Sequence, residues 1–156
     1  MEQVWSQIWR PDDDRPLKLT ETVGPAIVAL HRKYKVKAVY YDPFQMAAIA
    51  EMCQKAGVKM VEFPQTSRRL ESDKYLHDLL WGGNLAHYGD PTLKEHVTNA
   101  MTKETERGLR IVKELSSRKV DGAVALAMAC LGALEVLAGG AGREIEILAE
   151  NPFYLG

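Results

Sequence analysis

The sequence has few of the features that would direct it to a membrane, out of the cell, or into redox chemistry. No stretch reaches the roughly 18 uninterrupted apolar residues of a membrane span. Lys, Arg and Glu break every hydrophobic stretch except Gly122 to Leu134, which is short and rich in Ala and Gly. The opening Met1-Glu2-Gln3-Val4-Trp5 has neither the basic nor the apolar segment of a secretory signal, so a cytoplasmic location without membrane contact is expected. Only two cysteines occur, Cys53 and Cys130, both in apolar patterns of helical spacing and with no CxxC pair, which reads as two reduced core thiols. Charge of one sign is also lacking. A net charge of −1 gives no whole-domain attraction to nucleic acid, so any phosphate contact has to come from local basic clusters. With 156 residues, 46% of them hydrophobic and 26% charged, the chain has the makeup of one globular domain around one core.

Read along its length, the chain alternates helix and strand. Residues 1–19 hold one short strand running up to Arg10, with Trp5, Ile8 and Trp9, followed by the acidic turn Pro11-Asp12-Asp13-Asp14. From Thr20, Val23, Ile27, Leu30 and Tyr34 recur on one helical face. Val36 to Tyr41 follows as a buried strand. It stops at Asp42-Pro43, where Asp suits a helix cap and Pro the first helical position, opening a helix over 44–56 that Gly57 closes. Val58 to Phe63 is a second β-rich run. Leu76, Leu79 and Leu80 mark a helix over Ser67–Trp81, and Asp90-Pro91 starts another with Leu93, Val97 and Ala100 inward. Leu109 to Lys113 reads as a short strand or hairpin arm. Asp121 opens a last helix whose Ala, Val, Leu and Met side chains predict burial on almost every side, with Ala125 close against the sheet. The pattern implies an α/β layer architecture with parallel strands joined by the helix at 44–56, a domain over 20–138 and a surface tail over 139–156.

Two aspartates, Asp42 and Asp121, each stand at the mouth of an α/β element. Ligands of such sheets collect at the carboxyl ends of strands, which suits Asp42. Both also fit the simpler role of helix N-cap, and spacing alone favours it. The histidines His77, His87 and His96 have no spacing that closes a zinc site and no cysteine nearby.

Resemblance shifts the balance. Tyr41-Asp42-Pro43-Phe44-Gln45-Met46 resembles the second acidic motif of the carboxyl-terminal nuclease of tailed-phage terminase large subunits. Phe63-Pro64-Gln65-Thr66, Gly83-Asn84-Leu85-Ala86-His87, His96-Val97-Thr98-Asn99-Ala100 and Lys119-Val120-Asp121-Gly122-Ala123 follow in that family's order. The resemblance runs from about Thr20 to Ala129. It implies a ribonuclease H-like mixed sheet flanked by helices, and a metal-dependent endonuclease that cuts concatemeric phage DNA during packaging by two-metal phosphodiester hydrolysis. Asp42 and Asp121 would be catalytic metal ligands, the second and third acids of the cluster, for Mg²⁺ or Mn²⁺. Two such ions about 4 Å apart clamp the attacking and leaving oxygens of an in-line displacement. Arg68, Arg69, Lys113 and Lys119 are the candidate DNA contacts, set against an ordinary reading as solvated charge. The implied partners are double-stranded DNA, the phage portal and the small terminase subunit, in the cytoplasm of a bacterial host, with self-association a further expectation.

One departure from the family concerns its first acid, which lies on an early strand of the sheet. Only 19 residues precede Thr20, and Glu2 is the only acid ahead of the tryptophans. The N-terminal strands and the packaging ATPase are therefore expected to be missing, as in a fragment or a decayed prophage copy. The competing reading is an inactive remnant that binds DNA or a packaging partner. A junction resolvase of the same fold is a third, against which the run through Gln65, His96, Asn99 and Lys119 argues.

Overall fold

A computed structural model describes residues 1–11 and 16–139. Most of the expected acidic turn and all but the first residue of the expected tail lie outside the described residues. The elements are β1 (Glu2–Gln3), α1 (Val23–Tyr34), β2 (Val39–Tyr41), α2 (Ala47–Lys55), β3 (Met60–Glu62), α3 (Ser67–Trp81), β4 (Ala86–His87), α4 (Pro91–Thr98), β5 (Ala100–Thr105), β6 (Gly108–Lys113) and α5 (Asp121–Gly139).

Strands β2 and β3 run parallel, Val39 opposite Met60 and Tyr41 opposite Glu62, with α2 as the crossover. The crossover was legible because Ile49, Ala50 and Cys53 bury one face of α2. Its end is set by Gly57, whose φ of +86° lets the Gly57 and Val58 N–H groups turn back onto the carbonyls of Gln54 and Cys53. Three features differ from the sequence reading. The sheet is present as three separate strand pairs, β1–β4 and β2–β3 parallel and β5–β6 antiparallel. The first strand is two residues long, because Val4, Trp5 and Gln7 face solvent and find no partner strand. Ala100 begins β5 of a hairpin, not the inner face of α4, since α4 ends at Thr98.

The last helix also departs from expectation. Ala123, Ala127, Met128, Cys130, Leu131 and Gly132 are buried, but Ala125, Ala129, Leu134 and Leu137 are exposed. Apolar composition alone does not show which face has a neighbour. Helix α3 and strand β6 cover one side, where Leu76, Leu79, Ile111, Ala127 and Cys130 form a core. Phe63, Met128 and Leu131 form a second cluster with Tyr40 beside them. Fully burying a side chain such as Phe63 stabilises the fold by about 1.5–3 kcal/mol. Gly132 lets β2 approach: a Cβ there would run into the Tyr40 ring. Helix α5 is also long and apolar enough, by length and composition, to cross a membrane. It packs against α3, α4 and β2, and 39% of that apolar stretch is buried.

Candidate metal and nucleic-acid site

Asp42 directly follows β2, and Asp121 is the first residue of α5. They are 79 positions apart in number, yet both line one groove of about 900 Å³. Its walls are the outer side of β2 and the exposed face of α5, with Lys37, Tyr41, Phe44 and Ala125 among the lining residues. The groove follows from β2 having one partner. The Val39 N–H donates to the Lys59 carbonyl and the Tyr41 carbonyl accepts from the Phe63 N–H, so these residues turn their backbone groups toward β3. The Tyr40 N–H and carbonyl point to the opposite edge, where no described strand lies.

Asp42 is not a helix cap. Its Oδ1 accepts the Phe44 N–H at 3.0 Å, closing an Asx turn, and Gln45 just after the turn takes a φ of +59°. Helix α2 therefore begins at Ala47, later than expected. Both aspartates are exposed, and no cation pairs with either among the described residues. Carboxylate oxygens free of an internal cation suit a hard divalent ion, and Mg²⁺ is commonly held by one or two carboxylates together with waters and phosphate. Asp42 and Asp121 supply carboxylate donors of that kind and are the acidic residues among those lining the groove. Among the described residues no group of three or more His, Cys, Asp or Glu gathers into a metal-binding cluster. Glu2, on β1 beside Ala86, does not line the groove.

The four basic candidates separate into two kinds. Arg69 is buried, its Nε donating to Asp73 Oδ1 at 2.8 Å and its Nη1 to Gln65 Oε1 at 3.0 Å, which leaves the guanidinium no free face for a phosphate. Arg68 donates to Glu135 Oε1 at 2.7 Å and lies over the Phe63 ring, 4.8 Å from its centroid. Arg69 therefore offers neither the DNA contact nor the solvated charge expected of it, whereas Arg68 keeps part of its side chain exposed beside Glu135. Lys113 and Lys119 are exposed on the segment leading into α5. The Lys113 ammonium donates to the Ser116 carbonyl at 3.2 Å.

Burial also shifts nearby groups. Desolvation raises the Tyr40 phenol, reinforced by the nearby Glu135 carboxylate, against an opposing pull from Arg68, while its hydroxyl donates to the Gly132 carbonyl at 3.4 Å. The Tyr41 phenol is raised by desolvation and by Glu62 beside it. Among the histidines, His87 accepts the Gly89 N–H at 3.1 Å and His77 stacks on Trp81. His96 is buried and accepts the Gly122 N–H at 2.9 Å. Lys37 in the groove wall was missed, because a lysine inside a β-rich run carries no signal in sequence beyond its exposure.

Two solved structures share this fold. The crystal structure of the HK97 bacteriophage large terminase matches with a TM-score of 0.59 and 20% identity, over 69% of this chain and 23% of that one. The large terminase nuclease from the thermophilic phage G20c matches with a TM-score of 0.59 and 21% identity, over 74% of this chain and 62% of that one. At such identities the likeness shows the fold, which is that of terminase nucleases. The chain spans less than two thirds of either matched structure. No curated protein sequence matches significantly. The family model of the terminase large subunit endonuclease domain matches residues 6–136, and the chain belongs to that family.

Proposed function

We propose that the chain is a metal-dependent DNA endonuclease domain of a phage packaging terminase, acting on double-stranded DNA in the cytoplasm of a bacterial host. The observation that carries this reading is the convergence of Asp42 and Asp121, from different elements, on one groove. Their carboxylates would hold Mg²⁺ or Mn²⁺. A divalent ion there would supply Lewis-acid stabilisation of charge on a phosphodiester oxygen. Lys113 and Lys119, on the segment that delivers Asp121, would draw the DNA backbone to the groove by offsetting phosphate charge. A two-metal arrangement needs a further acid, and none joins these two among the described residues. Within a longer terminase the portal and the small subunit would be the protein partners.

With two acids on the groove and no third beside them among the described residues, a second reading is that the domain binds DNA or a packaging partner without cutting. Supercoiled plasmid incubated with the chain and Mn²⁺ separates the two. The nuclease reading expects slow nicking that disappears in Asp121→Asn and Asp42→Asn. Equal nicking by the wild type and both variants would overturn it. DNA retention without nicking would favour the binding module.

A further inference from the structure

Helix α5 begins without a local cap. Val120 occupies the capping position, since its carbonyl accepts the Val124 N–H at 3.0 Å, but a valine side chain has no acceptor for the free N–H groups of the first turn. The acceptor comes from α4 instead. His96, 2% exposed, presents Nδ1 to the Gly122 N–H at 2.9 Å. A backbone N–H can only donate, so Nδ1 is the acceptor and the ring proton sits on Nε2. Three residues further along the chain, the Asn99 Nδ2 donates to the Lys119 carbonyl at 3.4 Å. Helix α4 therefore holds the backbone on both sides of Asp121.

The approach is tight, and a side chain at position 122 would press its neighbours back by a few tenths of an ångström. A Cβ at Gly122 would lie 3.1 Å from His96 Nδ1 and 3.2 Å from Ile8 Cδ1. Helix α4 is itself anchored, with Asp90 Oδ1 capping the Leu93 N–H at 2.6 Å, Pro91 at its start and Leu93 buried. A tether between two fixed elements on either side of one carboxylate sets where that carboxylate stands.

We propose that His96, assisted by Asn99, is a positioning residue for Asp121. By capping α5 from a neighbouring helix it holds the Asp121 carboxylate at the groove that Asp42 lines. This rests on the reading of Asp121 as a metal ligand.

The test compares His96→Asn, whose amide oxygen falls near the Nδ1 position, with His96→Gln, whose amide falls near Nε2. Mn²⁺ affinity is measured by calorimetry, Gly122 amide exchange by NMR, and unfolding without metal by circular dichroism. His96→Gln should weaken Mn²⁺ binding on the order of tenfold, as loss of an orienting partner commonly does, and should speed Gly122 exchange. His96→Asn should restore both toward wild type. If His96→Gln does not fold, Asn99→Ala replaces it and should weaken Mn²⁺ binding severalfold. Unchanged affinity in the folded tether variants, whatever their stability, overturns the proposal. Asp121→Asn separates the two levels. Wild-type Mn²⁺ affinity in Asp121→Asn defeats the metal-ligand reading, whereas weakened binding there with unchanged binding in His96→Gln defeats the positioning role alone.

Discussion

The carboxylate of Asp73, fully buried on α3, accepts the Ile111 N–H of β6 at 2.8 Å through Oδ2, while its Oδ1 accepts from Arg69 Nε at 2.8 Å. One side chain thus ties the β5–β6 hairpin to the helix beneath it. Breaking a buried pair leaves its partner's charge uncompensated, at a cost of about 3–5 kcal/mol. Asp73→Ala should lose stability of that order in urea titrations. A loss below about 1 kcal/mol would mean that water replaces the carboxylate.

Two small residues of α5 should respond in opposite ways. Gly132 faces the Tyr40 ring, so Gly132→Ala should destabilise by about 1–3 kcal/mol through overpacking. Ala125 is exposed on the groove wall, so Ala125→Leu should change stability by no more than about 0.5 kcal/mol. Thermal melts of the two variants check the facing of the helix directly, and equal destabilisation would refute it.

Stability should fall at alkaline pH. Burial pushes the Cys130 thiol from its ordinary 9.0 up to about 11, and burial also raises Cys53. Above pH 9 the unfolded chain releases thiol protons that the folded chain retains, so the unfolded state gains and folding free energy declines until about pH 11. The Cys130 contribution is about 2–3 kcal/mol. Guanidinium unfolding between pH 8 and 11 should show the decline, with a shallower slope in Cys130→Ala. A flat profile would contradict the burial of these thiols.

The two kinds of basic residue should separate in DNA binding. Lys119→Gln and Lys113→Gln should leave the fold intact and each reduce the salt dependence of duplex binding by about 0.9 in log–log slope. Arg69→Gln should act on stability, because its guanidinium is bonded to Asp73 and Gln65. Fluorescence anisotropy across a salt series distinguishes the cases. An unchanged slope in the lysine variants would remove them from the interface.

Much of this fold could be read from periodicity. Helix α3 matches its expected limits, Ser67–Trp81, and Asp90 with Pro91 opens α4 through a cap that accepts the Leu93 N–H. The parallel pair β2–β3 followed from the apolar face of α2. Partnership was not legible. Ala125 and Ala127 are alike in sequence, yet one is exposed and the other buried, because burial depends on which face of α5 meets α3. The role of Arg69 was hidden for the same reason, since its partner Asp73 looks like any i,i+4 surface pair until Ile111 is brought over it. Asp42 and Asp121 stood out as loop-edge acids. The neighbouring helix that holds Asp121 did not, because a histidine capping another element leaves no spacing to detect.

In the proposed metal site Asp42 and Asp121 share one divalent ion. Crystals of the chain soaked in Mn²⁺ and measured for anomalous scattering test it most directly. A manganese peak is expected in the groove, bonded to a carboxylate oxygen from each aspartate and absent in Asp121→Asn. A wild-type peak elsewhere, or one that persists unchanged in Asp121→Asn, would contradict it.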